Sequence, residues 1–283
     1  MTTNAELQKQ DTVLVTSGTG KTGRRVVERL TALGVPVRSG SRGGGVPFDW
    51  EDGSGWEAAL RGADAAYITY YPDLAVPAAP EAMAAFGRIA AGCGVRRLVL
   101  LSGRGEPQAV VAEEALREAA TGIELTVLRS AFFAQNFSEG ALLDGVLAGE
   151  VVFPAGSAAE PFVDADDLAD VAVAVLTGDG PAGVVHELTG PRLLTFEDVA
   201  AELTRAIGRE VRYVPVSGPA FAEALAGHGL PADEAGFLGD LFAMLLDGHN
   251  ASTTDGVKRA LGREAKDFGA YVREAAEGGA WQK

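Results

Sequence analysis

Val13-Leu-Val-Thr-Ser-Gly-Thr-Gly-Lys-Thr-Gly-Arg-Arg-Val-Val-Glu-Arg-Leu30 is the stretch that decides the fold of this 283-residue chain. Its first four residues are apolar or β-branched, as in a strand that is covered on both faces. Gly18, Gly20 and Gly23 follow at the spacing G-x-G-x-x-G, and apolar residues then recur at helical intervals. A strand, a glycine-rich turn and a helix in this order are typical of a dinucleotide-binding unit.

Each glycine of the turn has a separate physical role in such a unit. The first permits the tight turn, the second lets the backbone approach a pyrophosphate, and the third lets helix and strand pack closely. The N-terminus of the helix offers free N–H groups to the same anion. Because glycine is abundant here, at 37 residues, the alternative is a strand–turn–helix unit that binds no nucleotide. We predict cofactor contacts along the whole turn, at Gly18, Thr19, Gly20, Lys21, Thr22 and Gly23.

Composition limits the classes of partner and compartment. The net charge is −15, which argues against a nucleic-acid partner because no basic surface is available to neutralise phosphates. The single cysteine, Cys93, excludes a disulfide framework and indicates a reducing, cytoplasmic location. The chain has no apolar run long enough to span a membrane, and residues 1–10 are polar rather than signal-like.

The order of the predicted elements favours an α/β fold. Strands and helices alternate from residue 13 to residue 130, which predicts right-handed βαβ units and a doubly wound parallel Rossmann sheet. We assign residues 11–150 to an NADP-binding Rossmann domain, to which a last strand near 184–188 returns. Residues 151–283 are predicted to form a smaller, mixed but mostly helical substrate-binding lobe, with a helix expected earlier, over 131–147.

The end of the second strand distinguishes the two nicotinamide cofactors. An NAD site has an acidic residue about 20 positions after the glycines, which binds the ribose hydroxyls. No acidic residue lies between Glu28 and Asp49; Arg38, Ser41 and Arg42 stand there instead. A guanidinium pairs well with a 2′-phosphate, so NADP(H) is favoured over NAD. The alternative is that both arginines only solvate a surface loop.

Further candidates follow the next strands at the edge where ligands of parallel sheets bind. Asp49 and Trp50 are predicted to flank the adenine, Asp49 as acceptor for its exocyclic amine; a purely structural role is the alternative. Thr69 ends the fourth strand, where the nicotinamide ribose is expected, and Tyr70 and Tyr71 come directly after it.

Several motifs together resemble those of one known family. They are Val15-Thr-Ser-Gly-Thr-Gly-Lys-Thr-Gly23, Phe48-Asp-Trp-Glu51, Gly94-Val-Arg-Arg-Leu-Val-Leu-Leu-Ser102, Phe133-Ala-Gln-Asn-Phe137 and Pro161-Phe-Val-Asp-Ala-Asp-Asp167. They resemble the NmrA-like branch of the atypical short-chain dehydrogenases/reductases, including ergot-alkaloid-type and quinone reductase-like bacterial members. The resemblance implies a Rossmann fold, NADP(H) binding, and a reductase or redox-sensing role. It also implies that Arg42 meets the 2′-phosphate, that Ser102 is the serine of the fifth strand, and that natural-product tailoring, including antibiotic biosynthesis, is a suitable context.

The chain departs from the family pattern at two places. Ser17 replaces the first glycine of the usual turn, which leaves the backbone path of the turn open. Classical members use Tyr-x-x-x-Lys after the fifth strand, where the tyrosine protonates the substrate carbonyl. Residues 103–122 contain neither tyrosine nor lysine, so the usual acid is absent.

The missing acid determines which chemistry is predicted. Ser102 is the first candidate to hydrogen-bond a substrate oxygen, and Tyr70 and Tyr71 are the second, with aromatic packing as their alternative. The substrate pocket is predicted from side chains that follow the sixth strand or lie in the lobe: Phe132, Phe133, Gln135, Asn136, Phe153 and Phe162. Core packing is the alternative for these aromatic residues.

A conjugated substrate suits this sequence best. A quinone or a phenolic ketone, as in polyketides, stabilises or protonates its own product, and an iminium needs no proton. We therefore predict an NADPH-dependent reductase of a small aromatic or conjugated carbonyl compound. An iminium reductase and a non-catalytic NADP(H) sensor that binds a protein partner stay as alternatives. His186, His228 and His249 have no metal-ligand spacing, so no metal is expected. The oligomeric state is left open.

Overall fold

The computed structural model describes residues 11–140 and 142–282, which divide into two compact units. The first unit contains residues up to Ser130 together with Ala165–Leu188 and Asp255–Glu264. The second contains Ala131–Asp164, Thr189–Thr254 and the residues from Ala265 onward. The chain crosses between the units several times, so the single boundary expected near residue 150 is replaced by these segments.

The elements are numbered in chain order. The strands are β1 (Val13–Val15), β2 (Val37–Ser41), β3 (Val46–Pro47), β4 (Ala65–Ile68), β5 (Arg97–Gly103), β6 (Glu124–Ser130), β7 (Glu150–Phe153), β8 (Ala159–Glu160), β9 (Val185–Leu188), β10 (Leu194–Thr195) and β11 (Arg212–Pro215). The helices are α1 (Gly23–Ala32), α2 (Trp56–Leu60), α3 (Ala79–Gly92), α4 (Pro107–Ala119), α5 (Leu143–Ala148), α6 (Ala165–Thr177), α7 (Phe196–Ile207), α8 (Gly218–Gly227), α9 (Ala232–Leu245), α10 (Gly256–Leu261) and α11 (Phe268–Glu277).

A parallel sheet forms the centre of the first unit. Its strand order is β3-β2-β1-β4-β5-β6-β9, and each neighbouring pair is parallel. This is the Rossmann order, in which the chain reverses direction across the sheet between β1 and β4. The predicted doubly wound α/β fold is confirmed. The glycine-rich turn lies at that reversal, where open parallel sheets bind their ligands.

Helices cover the sheet and pack against apolar side chains that alternate along its strands. Leu98 and Leu100 of β5 point to one face and pack in a buried cluster with Met83 and Phe86 of α3 and with Leu116 of α4. Each such side chain contributes about 1.5–3 kcal/mol when it is fully buried. Burial of both faces fixes the register of the strands, and therefore the positions at which they end.

Helices α1 and α6 pack against each other and are joined by ion pairs. The Arg29 guanidinium contacts Asp166 at 2.7 Å and Asp170 at 2.6 Å. These pairs are partly buried, so solvent screens them less than it screens fully exposed pairs. They fix the orientation of α1, whose N-terminus adjoins the glycine-rich turn.

The second unit has a core rich in aromatic side chains. Phe153 stacks on Phe196 with ring centroids 5.1 Å apart, and further phenylalanines surround this pair. Two small sheets frame the core, one formed by β7 and β11 and the other by β8 and β10. No helix within the described residues is both long enough and apolar enough to cross a membrane.

The helix expected over residues 131–147 is shorter in the structure. Phe133 instead forms a bridge with Val163, a 3-10 turn spans Ala134–Phe137, and α5 covers only Leu143–Ala148. The sequence Ser138-Glu-Gly140 separates the two helical pieces. Glycine costs conformational entropy in a helix, and the bridge to Val163 satisfies the backbone without a helix.

Candidate functional site

The glycine-rich turn is packed so closely that side chains are excluded at two of its positions. A Cβ at Gly18 would lie 2.3 Å from the hydroxyl oxygen of Ser39, and a Cβ at Gly23 would lie 2.2 Å from the carbonyl oxygen of Ser17. The backbone therefore stays close to β2 on one side and to the start of α1 on the other. This geometry has the two close approaches that the dinucleotide fingerprint requires.

Ser17, which stands where the family's usual turn has a glycine, adopts a left-handed conformation. Its φ is +50°, a region that a residue with a Cβ occupies at some cost. Its hydroxyl donates to the carbonyl oxygen of Thr69 at 3.2 Å, and its own carbonyl accepts from the Gly20 N–H at 2.8 Å. These hydrogen bonds offset part of the strain at Ser17 and hold the turn against the end of β4.

The N-terminus of α1 provides donors for an anion. Thr22 occupies the N-cap position without making a side-chain cap, and the first turn contains no acidic residue. The first N–H groups of a helix have no intrahelical acceptor and carry a partial positive charge. A pyrophosphate is the ligand that such a helix start and glycine-rich turn accommodate together. Lys21 and Thr22 lie between the turn and the helix, at the position predicted from the sequence.

A cleft of about 200 Å³ opens beside the turn. It is lined by residues from the turn and from the ends of β2, β3 and β4: Ser17, Thr19, Gly20, Ser41, Arg42, Phe48, Asp49, Trp50, Glu51 and Tyr71. The structure therefore brings together six of the cofactor residues that were predicted from the sequence: Thr19, Gly20, Ser41, Arg42, Asp49 and Trp50. Parallel strands produce this arrangement because their carboxyl ends meet at one edge.

Of the two arginines predicted to meet a 2′-phosphate, only Arg42 lines the cleft. Arg42 follows β2 and lies at the cleft, with its guanidinium 5.3 Å from the centre of the Tyr71 ring. No carboxylate within the described residues pairs with Arg42. It is exposed, and a cation held over an aromatic ring is oriented without being neutralised.

Arg38 is a correction to the sequence prediction. Its guanidinium donates to the carbonyl oxygens of Ala59 at 3.0 Å and of Arg61 at 2.6 Å, at the end of α2. Arg38 stands near the start of β2, three residues before the strand ends, and it is not among the residues that line the cleft. It therefore caps a helix, as basic residues at helix C-termini often do.

Asp49 and Trp50 line the cleft and are held in place by backbone contacts. The Trp50 indole N–H donates to the Thr69 carbonyl at 2.8 Å, and the Trp56 indole N–H donates to the Asp49 carbonyl at 2.6 Å. The Thr69 carbonyl also accepts from the hydroxyls of Thr16 and Ser17. Thr69 thus links the glycine-rich turn to the end of β3, and its role at the nicotinamide ribose stays a prediction.

Tyr70 and Tyr71 differ in their surroundings. Tyr70 packs on Trp50 with ring centroids 5.0 Å apart, and burial together with the nearby Glu51 raises the pKa of its phenol. Tyr71 is 57% exposed and lies at the cleft under Arg42. Tyr70 therefore has the packing role that was considered for it, while Tyr71 is the phenol with access to a ligand.

The hydroxyl of Ser102 is part of a buried ionic network. Ser102 is only 4% exposed, and its hydroxyl donates to the Glu113 carboxylate at 2.6 Å. Arg129 forms a two-pronged pair with the same carboxylate, with its terminal nitrogen at 2.6 Å. Alternation along β5 places Ser102 on the same face as Leu98 and Leu100, toward α4. Its proton is thus directed at Glu113 rather than at the substrate oxygen expected from the sequence.

The predicted pocket residues lie in the second unit and divide into core and partly exposed positions. Phe153 and Phe162 are each 2% exposed and belong to the aromatic core, the alternative that was considered for them. Gln135 is buried and its amide donates to Asp164 at 2.7 Å. Phe132, Phe133 and Asn136 are partly exposed, and their contact with a substrate stays a prediction.

Asp73 and Glu106 were missed from the sequence. Asp73 follows β4 and Glu106 follows β5, and these strands are neighbours in the sheet. Glu106 is 8% exposed, and burial together with the charges of Asp73 and Glu113 raises its pKa to about 8. Burial also raises the pKa of Asp73. The sequence contained a signal for this pair, namely an acidic residue after each of two strands that are neighbours in the sheet.

Comparisons with known proteins identify relatives over nearly the whole chain. An uncharacterised oxidoreductase of Bacillus subtilis, YesF, is 32% identical over 278 residues, which cover 94% of this chain and 96% of that protein. An NAD(P)H azoreductase of Xenophilus azovorans is 30% identical and covers 92% of this chain and 96% of its own. No family model matches the chain.

A solved structure shares the fold. The triphenylmethane reductase of Citrobacter sp., crystallised as a complex with NADP(H), superposes with a TM-score of 0.73. The match covers 93% of this chain and 99% of that one at 22% sequence identity. At this level of identity the likeness concerns the path of the chain rather than its chemistry.

Proposed function

Because the chain belongs to the NmrA-like branch of the atypical short-chain dehydrogenases/reductases, a family of oxidoreductases, we propose that it is an NADPH-dependent reductase of a conjugated or aromatic carbonyl compound. Quinones and phenolic ketones of the polyketide type are the substrates that we favour. The observation that carries the proposal is the Arg42 guanidinium, which pairs with no carboxylate of residues 11–140 and 142–282 and lies beside the glycine-rich turn in the same cleft.

Several features beside the glycine-rich turn support the binding of NADPH. The turn excludes side chains at Gly18 and Gly23, and the uncapped start of α1 provides donors for the pyrophosphate. Arg42 provides a planar set of donors for the 2′-phosphate, and Ser41 lies next to it. Asp49 provides an acceptor for the adenine amine. The triphenylmethane reductase that shares this fold was crystallised with NADP(H).

The cofactor supplies the hydride when it is bound, and the protein has to orient the acceptor and neutralise the charge that develops on it. Tyr71 is placed to contact a ligand at the exit of β4, since it is more than half exposed. The buried Ser102–Glu113–Arg129 network keeps the end of β5 rigid beneath the site. A rigid floor holds the reacting groups within the narrow range of geometry that catalysis requires.

The substrate class follows from the absence of the family's usual tyrosine acid. Without Tyr-x-x-x-Lys, an acceptor that delocalises negative charge is reduced more readily than a simple aliphatic ketone. The azoreductase and the triphenylmethane reductase are both named for conjugated aromatic acceptors, which supports this class. Tailoring of natural products is a context that suits such substrates.

Turnover is the experiment that tests the proposal. Purified protein is mixed with NADPH and with a panel that contains a quinone, a phenolic ketone and an unconjugated aliphatic ketone, and NADPH absorbance is followed. We expect oxidation of NADPH with the conjugated acceptors and little with the aliphatic ketone. Tight NADPH binding without turnover of any acceptor contradicts the proposal and favours the sensor, whose partner is then a protein.

A further inference from the structure

The carboxyl groups of Asp73 and Glu106 form an acid pair at the edge of the sheet where the ligand of a Rossmann fold binds. Asp73 lies five residues after the end of β4 and Glu106 three residues after the end of β5. The two strands are parallel neighbours, so both side chains emerge at the same edge. Asp73 is only partly buried, whereas Glu106 is more than nine-tenths buried.

Among the described residues, the carboxyl group of Glu106 interacts with other acids. Its Oε2 atom is buried and makes no hydrogen bond with the described residues. Buried polar atoms in this state are rare in folded proteins. Glu106 is the N-cap residue of α4, but its carboxyl group makes no capping hydrogen bond to that helix. Its hydrogen bond is with Asp73 instead, so the two carboxyl groups share a proton at this edge of the sheet.

The backbone makes room for this carboxyl group. A Cβ at Gly103 would lie 2.0 Å from Oε1 and 2.4 Å from Oε2 of Glu106. The carboxyl group therefore lies directly against the backbone at the end of β5, and any side chain at position 103 would displace it. This contact explains why position 103 is a glycine, although the other residues of β5 carry side chains.

The charges around Glu106 keep it protonated. Asp73 faces it from the exit of β4 and Glu113 from α4, and both carboxylates disfavour a further negative charge. Arg129 is paired with Glu113, so its positive charge is already engaged. With burial, these neighbours raise the pKa of Glu106 to about 8, and the group is a carboxylic acid at neutral pH.

We propose that Glu106 is the proton donor of the reductase site, and that Asp73 is the positioning residue that keeps the proton on it. The inference rests on the proposed function. In the step, the carbonyl carbon gains a hydride from the reduced nicotinamide, and the two π electrons of the C=O bond move onto the oxygen. That oxygen takes the proton from Glu106, so a ketone becomes an alcohol and the nicotinamide is oxidised. Water then returns a proton to the Glu106 carboxylate.

Infrared spectroscopy of the protein without nucleotide tests the protonation state independently of turnover. The C=O stretch of a protonated carboxyl group should be present at neutral pH, titrate near pH 8, and be absent from the Glu106→Gln variant. Asp73→Asn should shift this titration to lower pH because it removes a negative charge. If no band is lost in Glu106→Gln at neutral pH, Glu106 is ionised and the inference is wrong.

Two acceptors with different proton requirements test the catalytic role. An aromatic ketone without a neighbouring phenol needs a proton after hydride transfer, whereas a triphenylmethane dye cation becomes neutral without one. We expect Glu106→Gln to lower the ratio of kcat for the ketone to kcat for the cation about a hundredfold or more, the usual contribution of a general acid. Glu114→Gln, on the exposed side of the same helix, is the matched control and should keep the ratio. Gly103→Ala should lower the ratio as well, since it displaces the carboxyl group without removing it.

The outcomes separate the inference from the proposed function. If no acceptor of the panel causes the wild-type protein to oxidise NADPH, the proposed function fails. The inference then fails with it, whatever the infrared result. If the wild type reduces both acceptors but Glu106→Gln keeps the ratio, the proposed function stands and the proton donor is another group. A nucleotide dissociation constant measured for each folded variant excludes a loss of cofactor as the cause.

Discussion

The indole N–H of Trp50 donates a hydrogen bond of 2.8 Å to the carbonyl oxygen of Thr69, which joins the exit of β3 to the exit of β4. The same carbonyl accepts from the Ser17 hydroxyl in the glycine-rich turn. One backbone oxygen therefore holds three of the loops that surround the cleft. A cleft built in this way is preorganised for its ligand, because little loop ordering is left for binding.

We expect Trp50→Phe to lower both stability and affinity for NADPH. The variant keeps a ring but loses the hydrogen bond and some volume, which should cost about 1–2 kcal/mol of unfolding free energy. The dissociation constant for NADPH should rise severalfold, as measured by protein fluorescence. Trp281→Phe is the control, because it loses a similar indole hydrogen bond to Phe137 in the second unit. Equal dissociation constants for both variants would contradict a role for Trp50 at the cleft.

Ser17 provides a prediction about strain in the turn. Ser17→Ala keeps the left-handed conformation but loses the hydrogen bond to Thr69, so it should be destabilised by about 0.5–1.5 kcal/mol. Ser17→Gly loses the same bond but relieves about 1–2 kcal/mol of backbone strain, so it should be more stable than the alanine variant. Urea unfolding of both variants measures the difference. An alanine variant as stable as the glycine variant would show that the backbone at position 17 is not strained.

Ser102→Ala should reduce stability more than it reduces catalysis. A hydrogen bond to a carboxylate contributes about 1.5–3 kcal/mol, and this one is buried. The kcat with a quinone should change little because the hydroxyl proton is bound to Glu113. Ser130→Ala, which removes only a longer 3.5 Å contact, provides the comparison for stability. A large loss of kcat in a well-folded Ser102→Ala protein would restore Ser102 as a group that contacts the substrate.

The raised pKa of Glu106 predicts how stability depends on pH. At pH values below the group's ordinary pKa of 4.5, the folded and unfolded chains both carry the proton, and its contribution to stability is fully present. As pH rises through the folded-state pKa of about 8, the folded protein must ionise a buried acid and that contribution is lost.

Glu106→Gln keeps a neutral side chain at every pH. Its free energy of unfolding relative to the wild type should therefore increase between about pH 5 and about pH 9, with a slope of at most about 1.4 kcal/mol per pH unit. Denaturant titrations at several pH values measure this difference, and Glu114→Gln serves as the exposed control. A difference that is constant over the whole range would mean that Glu106 has the same pKa in the folded and unfolded chains.

Much of the first unit could be predicted from the sequence because its signals are local. The strand–turn–helix stretch around Gly18 and Gly23 and the regular alternation of elements predicted the Rossmann sheet. The same alternation, applied within β5, places Ser102 on the face of Leu98 and Leu100, so its contact with α4 was in principle predictable.

The remaining features depend on contacts that are distant in the sequence. Arg38 and Arg42 are the same residue type, but Arg38 caps a helix and Arg42 lines the cleft. Their roles differ because of the position at which β2 ends. The pairing of Asp73 with Glu106 depends on the adjacency of β4 and β5 and on the small size of Gly103. Tertiary packing determines these contacts, and no short sequence window contains them.

The dissociation constants of NADPH and NADH for the wild type and for Arg42→Ala test the central claim most directly. We expect the wild type to prefer NADPH, and the variant to lose about 10–100-fold in affinity for NADPH but little for NADH, since only NADPH has the phosphate that Arg42 would bind. Arg88→Ala, an exposed arginine on α3, should change neither constant. Equal losses for the two cofactors in Arg42→Ala, or a wild type without preference for NADPH, would contradict the account.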